Sequence, residues 1–99
     1  MPRATAKFRD TVVAETDTWE SVEGNVYFPL ASIKDQSVLT PSDTSTFCPW
    51  KGTASYYDLK LGDTVVRDAA WYYAEPYDAA KNIRGHVAFY KNKVEIHVE

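Results

Sequence analysis

The chain has 99 residues, of which 44 % are apolar, 25 % charged and 14 % aromatic, and its formal charge is −3. That length predicts a single domain over residues 1–99, and the composition excludes a disordered polyelectrolyte. The negative balance excludes a general nucleic-acid binder, which needs surplus cations to displace phosphate counterions. The longest apolar run, Ala69 to Ala74, falls far short of the ~18 residues of a membrane helix, so no membrane partner is expected.

In chain order the sequence reads as short strands. Thr5 to Phe8 and Thr11 to Glu15 flank an Arg9-Asp10 turn. Trp19 to Val22 and Asn25 to Phe28 form a hairpin around Glu23-Gly24, since glycine accepts the positive φ such a turn needs. Pro29 ends that strand, having no amide to donate. Leu30 to Gln36 is predicted as one helical turn, with Ser32 and Asp35 at capping-box spacing. Val38 to Thr40 is extended, Ser42 to Thr46 is polar turn material, and Cys48-Pro49-Trp50-Lys51-Gly52 is a rigid irregular stretch.

Thr53 to Leu59 and Thr64 to Tyr73 are strands around Leu61-Gly62-Asp63, the second being the longest and broken near Asp68. Asp78 is placed to cap a short helix through Arg84, with Gly85 as its stop and Ala79, Ala80 and Ile83 facing the core. His86 to Tyr90 and Val94 to Val98 are predicted to pair as a last hairpin around Lys91-Asn92-Lys93. In its second strand Val94, Ile96 and Val98 alternate with polar residues, the period of a half-buried strand. These signals predict a mainly β fold: a small antiparallel, nearly closed barrel plugged by one or two short helices.

Cys48 is the one cysteine, so no intrachain disulfide and no four-cysteine zinc site can form. No segment has metal-ligand or phosphate-loop spacing, and no metal or cofactor is expected. The first seven residues, Met1 to Lys7, hold no apolar run of signal-peptide length. A reducing, cytoplasmic setting is therefore expected. Residues 10 to 23 carry five acids and no cation, whereas residues 81 to 93 carry Lys81, Arg84, Lys91 and Lys93 and no acid. The plain reading is two solvated hairpins of opposite sign, adjacent in space; the sharper ones are an anion-binding corner or a docking surface.

Two sets of residues carry possible chemistry. Cys48 is a nucleophile only as a thiolate, and Lys51 is the nearby cation that would favour that form. The alternative is packing, because free cysteines are among the most buried residues. The second set is aromatic: Tyr27, Phe28, Trp50, Tyr56, Tyr57, Trp71, Tyr72, Tyr73, Phe89 and Tyr90. A core this small does not hide every ring, and buried phenols need partners. Some rings are thus expected to wall a cleft for a small polar or anionic ligand. Tyr27, Trp50, Trp71 and Tyr73 are the candidate walls, and Glu23, Lys51 and Ser55 the polar anchors. The alternative is cross-strand packing. The oligomeric expectation is a monomer or weak homodimer.

The segments Val22 to Pro29, Cys48-Pro49-Trp50-Lys51-Gly52-Thr53-Ala54-Ser55-Tyr56-Tyr57, Ala70-Trp71-Tyr72-Tyr73 with Glu75-Pro76, and Ile83 to Tyr90 together resemble the domain of unknown function 427 family. The resemblance implies a small antiparallel β protein similar to β-tent domains. Some of those hold zinc through paired cysteines, which this chain lacks, and others bind small ligands in aromatic cages. No activity follows from the resemblance. It adds weight to an aromatic cleft by analogy of fold alone.

Overall fold

The computed structural model describes residues 2–99. Among them the strands are β1 (Ala4–Phe8), β2 (Thr11–Thr16), β3 (Glu20–Val22), β4 (Asn25–Pro29), β5 (Leu39–Cys48), β6 (Gly52–Leu61), β7 (Thr64–Tyr72), β8 (His86–Phe89) and β9 (Glu95–Val98). All pair antiparallel. One sheet has the order β2-β1-β9 and the other β3-β4-β8-β7-β6-β5. The second sheet ends on β3 and β5, which do not pair with each other. Two open sheets thus stand where a nearly closed barrel was expected, and no hydrogen-bonded barrel closes among the described residues.

The last two strands are the larger correction. They do not form a hairpin. Both edges of β8 are already taken, by β4 on one side and β7 on the other. The amides of Lys93 and Val94 donate to the Tyr90 carbonyl, at 3.0 and 2.9 Å, and turn the chain away. Val94 is buried at this crossing, and β9 then pairs with β1 in the other sheet. Along β9 the expected alternation fades: Ile96 is half-buried and Val98 is exposed.

The helical expectations resolve into short 3₁₀ turns, Leu30–Ser32, Gln36–Val38 and Asp78–Ile83. No capping box forms between Ser32 and Asp35. The Ser32 hydroxyl donates back to the Pro29 carbonyl at 2.7 Å, and Asp35 instead caps the next turn by accepting from the Ser37 amide at 3.0 Å. Tyr77, not Asp78, holds the cap position of the third turn, and Asp78 makes no capping bond. Ala80 and Ile83 are buried as expected, while Ala79 is exposed.

Ser42 to Thr46 lies inside β5 rather than in a separate turn. Its turn-like composition reflects a bulge, because the register with β6 slips between Pro41 and Ser45. A matching slip in β7 places Asp68 at φ 50°, where the sequence predicted a break. The two irregularities are tied together. The hydroxyls of Ser42 and Thr44 both donate to the Asp68 carboxylate, and the Asp68 amide donates to Asp58 at 2.8 Å.

The alternation of side chains gives the six-stranded sheet two different faces. Phe28, Leu59, Ala70, Val87 and Phe89 face Ala4, Ala6, Val13 and Ala14 of the smaller sheet and build an aliphatic core with it. Alanine on β1 and β2 lets the two backbones approach. Tyr27, Ala54, Tyr56, Trp71, Tyr73 and Ala88 lie on the other face and pack under Ala80 and Ile83 of the third 3₁₀ turn.

Candidate functional site

The rigid stretch after Phe47 turns β5 into β6 and delivers Lys51 onto the aromatic face. Gly52 makes this turn possible. Its φ is 108°, and a Cβ there would sit 3.3 Å from the Glu75 carbonyl oxygen. The Lys51 carbonyl accepts from the Tyr77 amide at 3.0 Å, which pins the turn to the segment after β7. The Lys51 side chain is buried, with the residue only 7 % exposed, and it is the one buried charged residue among those described.

A buried ammonium requires compensation. Lys51 Nζ donates to the Glu23 carboxylate and lies 5.4 Å from the centroid of the Tyr73 ring and 5.5 Å from that of Trp50. Burial works against the charge, but the hydrogen bond to the Glu23 carboxylate and, once ionised at high pH, the Tyr27 and Tyr73 phenolates outweigh it and hold the lysine above its ordinary range. Glu23 is held below the usual carboxylate range by the Lys51 hydrogen bond, with a smaller contribution from the Trp50 indole. The pair is therefore charged at neutral pH.

Glu23 reaches Lys51 from the tip of the β3–β4 hairpin. Val22 and Asn25 pair directly, and Glu23 and Gly24 both take positive φ, 55° and 78°, as a tight two-residue turn requires. Glycine adopts this freely; a glutamate there is strained. The hairpin tip is also tethered by Lys91, whose Nζ donates to the Gly24 carbonyl at 2.6 Å.

Beside this pair lies a cleft of about 420 Å³. Tyr56, Trp71, Tyr73 and Tyr90 wall it, while Lys51, Lys91, Asn25 and Asn92 supply charge and amide groups. The rings are fixed by their own contacts. Trp71 Nε1 donates to the Tyr27 hydroxyl at 3.1 Å, and those two rings meet edge to face at 6.2 Å. Trp71 and Tyr90 lie 4.6 Å apart, and the Tyr90 hydroxyl donates to that of Tyr56 at 3.4 Å. The Tyr56 bond, with burial, pushes the Tyr90 phenol up to about 12. Burial raises Tyr27 and Tyr73 too, so all three phenols stay protonated at neutral pH.

The structure brings most of the sequence candidates together. Lys51, Trp71 and Tyr73 line the cleft, and Glu23 anchors Lys51. Tyr27 lies beneath, fully buried, and serves to orient Trp71 rather than to meet a ligand. Trp50 covers Lys51 from outside and is 41 % exposed. Ser55 is not part of the constellation: it pairs opposite Tyr72 and so projects from the other face, by Thr53, Ala74, Glu75 and Tyr77. Cys48 is half-buried against the aromatic cluster, and among the described residues it makes no hydrogen bond with Lys51, whose ammonium goes to Glu23. His86 sits on β8 opposite Pro29, and His97 is exposed on β9.

Asn25, Lys91 and Asn92 were missed. Asn25 reads in the sequence only as the start of a strand and Lys91 and Asn92 as turn material, and a hairpin between the last two strands would have carried Lys91 and Asn92 elsewhere. The acidic and basic segments touch within one chain, where Asn82 donates to Glu20 at 2.8 Å, but among the described residues no ion pair joins them. Among the described residues no group of three His, Cys, Asp or Glu side chains is placed to hold a metal, and no helix is long and apolar enough to cross a membrane.

Set against known families, residues 2–99 match a family model described as a domain of unknown function, DUF427. No curated protein matches the chain.

Proposed function

The chain belongs to the DUF427 family, and from that premise we propose that it is a small-molecule binding module whose ligand enters the aromatic cleft beside Lys51. One observation carries this reading: a buried cation is held between rings at the wall of a cleft instead of being left in water. Small-molecule sites combine apolar walls with placed polar groups, and this cleft sets four aromatic rings beside two lysines and two asparagine amides. Lys51 and Lys91 favour an anionic group, and the Asn25 and Asn92 amides serve as donors or acceptors to a polar one. The likeness to β-tent domains, some of which cage ligands in rings, supports the reading by analogy of fold. In this reading the domain works without a cofactor, as a monomer or weak homodimer in a reducing, cytoplasmic setting where Cys48 stays a thiol.

Trp71 makes the cleft self-reporting. Wild-type protein is titrated with small carboxylates, dicarboxylates and inorganic phosphate while tryptophan emission and melting temperature are read. A member of the series is expected to change emission and raise the melting temperature, since a ligand bound only to the folded state stabilises it. Lys51→Met is expected to abolish both responses. No response from any of these anions, or an equal response in Lys51→Met, would overturn the proposal.

A further inference from the structure

A second cleft, about 370 Å³ in volume, opens on the opposite face of the same sheet. Its floor is the stacked pair Tyr57 and Tyr72, with ring centroids 4.7 Å apart and planes 21° from parallel. Leu30 and Val87 add apolar sides. The rim is polar and carries both signs of charge: Arg84, His86 and Glu75 all line the opening.

The corner that presents Arg84 and His86 is built, not loose. The Leu30 amide donates to the Gly85 carbonyl at 3.0 Å, and Gly85 turns the chain with φ 75°. His86 Nδ1 lies 2.8 Å from the Arg84 carbonyl oxygen. A carbonyl only accepts, so Nδ1 carries a proton and the ring is fixed against the Arg84 backbone. Arg84 is exposed and, among the described residues, takes part in no ion pair. Its fork of donors is thus free to meet a carboxylate in two parallel hydrogen bonds. Glu75, also on the rim, is acceptor-only as a carboxylate and repels a bare anion, so it selects a molecule that also brings a donor.

We propose that this cleft binds a flat aromatic molecule bearing a carboxylate, recognised by Arg84, and an N–H donor, recognised by Glu75. The tyrosine floor matches the flat apolar body, and the two rim charges match the two polar groups. This site shares Tyr73 with the Lys51 cleft but depends on neither Lys51 nor Glu23.

The test is an amide NMR titration of the whole chain with 4-aminobenzoate, and with benzoate as the analogue lacking the donor. 4-Aminobenzoate is expected to shift the amides of Tyr72, Ala74, Gly85 and Val87 and to saturate. Benzoate is expected to bind more weakly by about tenfold, the size of one hydrogen bond to a charged group. Arg84→Gln is expected to weaken both ligands by about tenfold or more. Glu75→Gln is expected to remove most of the preference between them. Arg84 and Glu75 are exposed, so both variants should fold, and an unchanged spectrum away from the cleft verifies that. Shifts confined to the Lys51 cleft, no saturable shift at all, or wild-type affinity in Arg84→Gln would overturn the assignment.

Discussion

The two faces of the six-stranded sheet are made by alternate residues of the same strands, yet they solve different problems. Phe28, Val87 and Phe89 on one face meet the alanines of the smaller sheet, and this core holds almost no polar atoms. Tyr27 and Ala88, one position away, belong with Trp71 to the other face, where phenols, an indole and a lysine must each find a partner. Burial of carbon is non-directional and tolerates any good fit. Burial of polar groups is directional and fixes geometry. The aliphatic face therefore carries stability, and the aromatic face spends its interactions on holding Lys51, Trp71 and Tyr73 in place.

The sharpest way to break this contrast is a pair of truncations. Leu59→Ala, at a fully buried position of the aliphatic core, is expected to cost about 2–5 kcal/mol in urea unfolding, as methyl groups are lost and a cavity is left. Tyr27→Phe keeps the ring but leaves the Trp71 N–H without its acceptor, and is expected to cost about 1–3 kcal/mol. It should also alter tryptophan emission, which Leu59→Ala in the native state should not. If Tyr27→Phe proves the more damaging, the division of labour between the faces is wrong.

A smaller effect on stability is expected from Lys51→Met, about 1 kcal/mol or less, because the Glu23 carboxylate left behind is half exposed and water can solvate it. The ligand response should vanish all the same. Stability and binding would then separate at one residue, which sharpens the comparison.

Acidity probes the same pair. Glu23 titrates lower in the folded chain than in the unfolded one, so its contribution is present above the ordinary glutamate value of ~4.3 and is lost as pH falls through the depressed folded value. Asp68, lowered first by the Ser42 hydroxyl and then by that of Thr44, adds to the same acid limb. Lys51 has the opposite sign: its contribution is present below the ordinary lysine value of ~10.4 and is lost as pH rises through the raised folded value. Melting temperatures of wild type and Glu23→Gln are expected to differ at neutral pH and to converge in acid. The least effect is expected at Cys48: alkylation by iodoacetamide should be slower than for a free thiol, given its half-buried position against the rings.

Local features of the fold were legible because local chemistry decides them. Glu23-Gly24 and Pro29 could be placed without knowing any partner. The break at Asp68 was legible too, although its cause, a bulge facing a second bulge in β5, was not. What escaped was pairing between distant strands. Nothing within His86 to Val98 says that both edges of β8 are occupied by residues far away in the chain. That one omission hid Lys91 and Asn92 from the cleft. The site core was readable as an excess of rings near a stiff turn, and Ser55 was misplaced because its face depends on register with Tyr72, which proximity to Lys51 does not reveal.

The position of β1 between β2 and β9 has a consequence for how the chain comes to be folded. Its neighbour β2 is at hand within a few residues, but its other edge stays bare until Glu95–Val98 has left the ribosome. The smaller sheet cannot be completed before that segment is made, and until then Ala4–Phe8 has one edge without its partner strand.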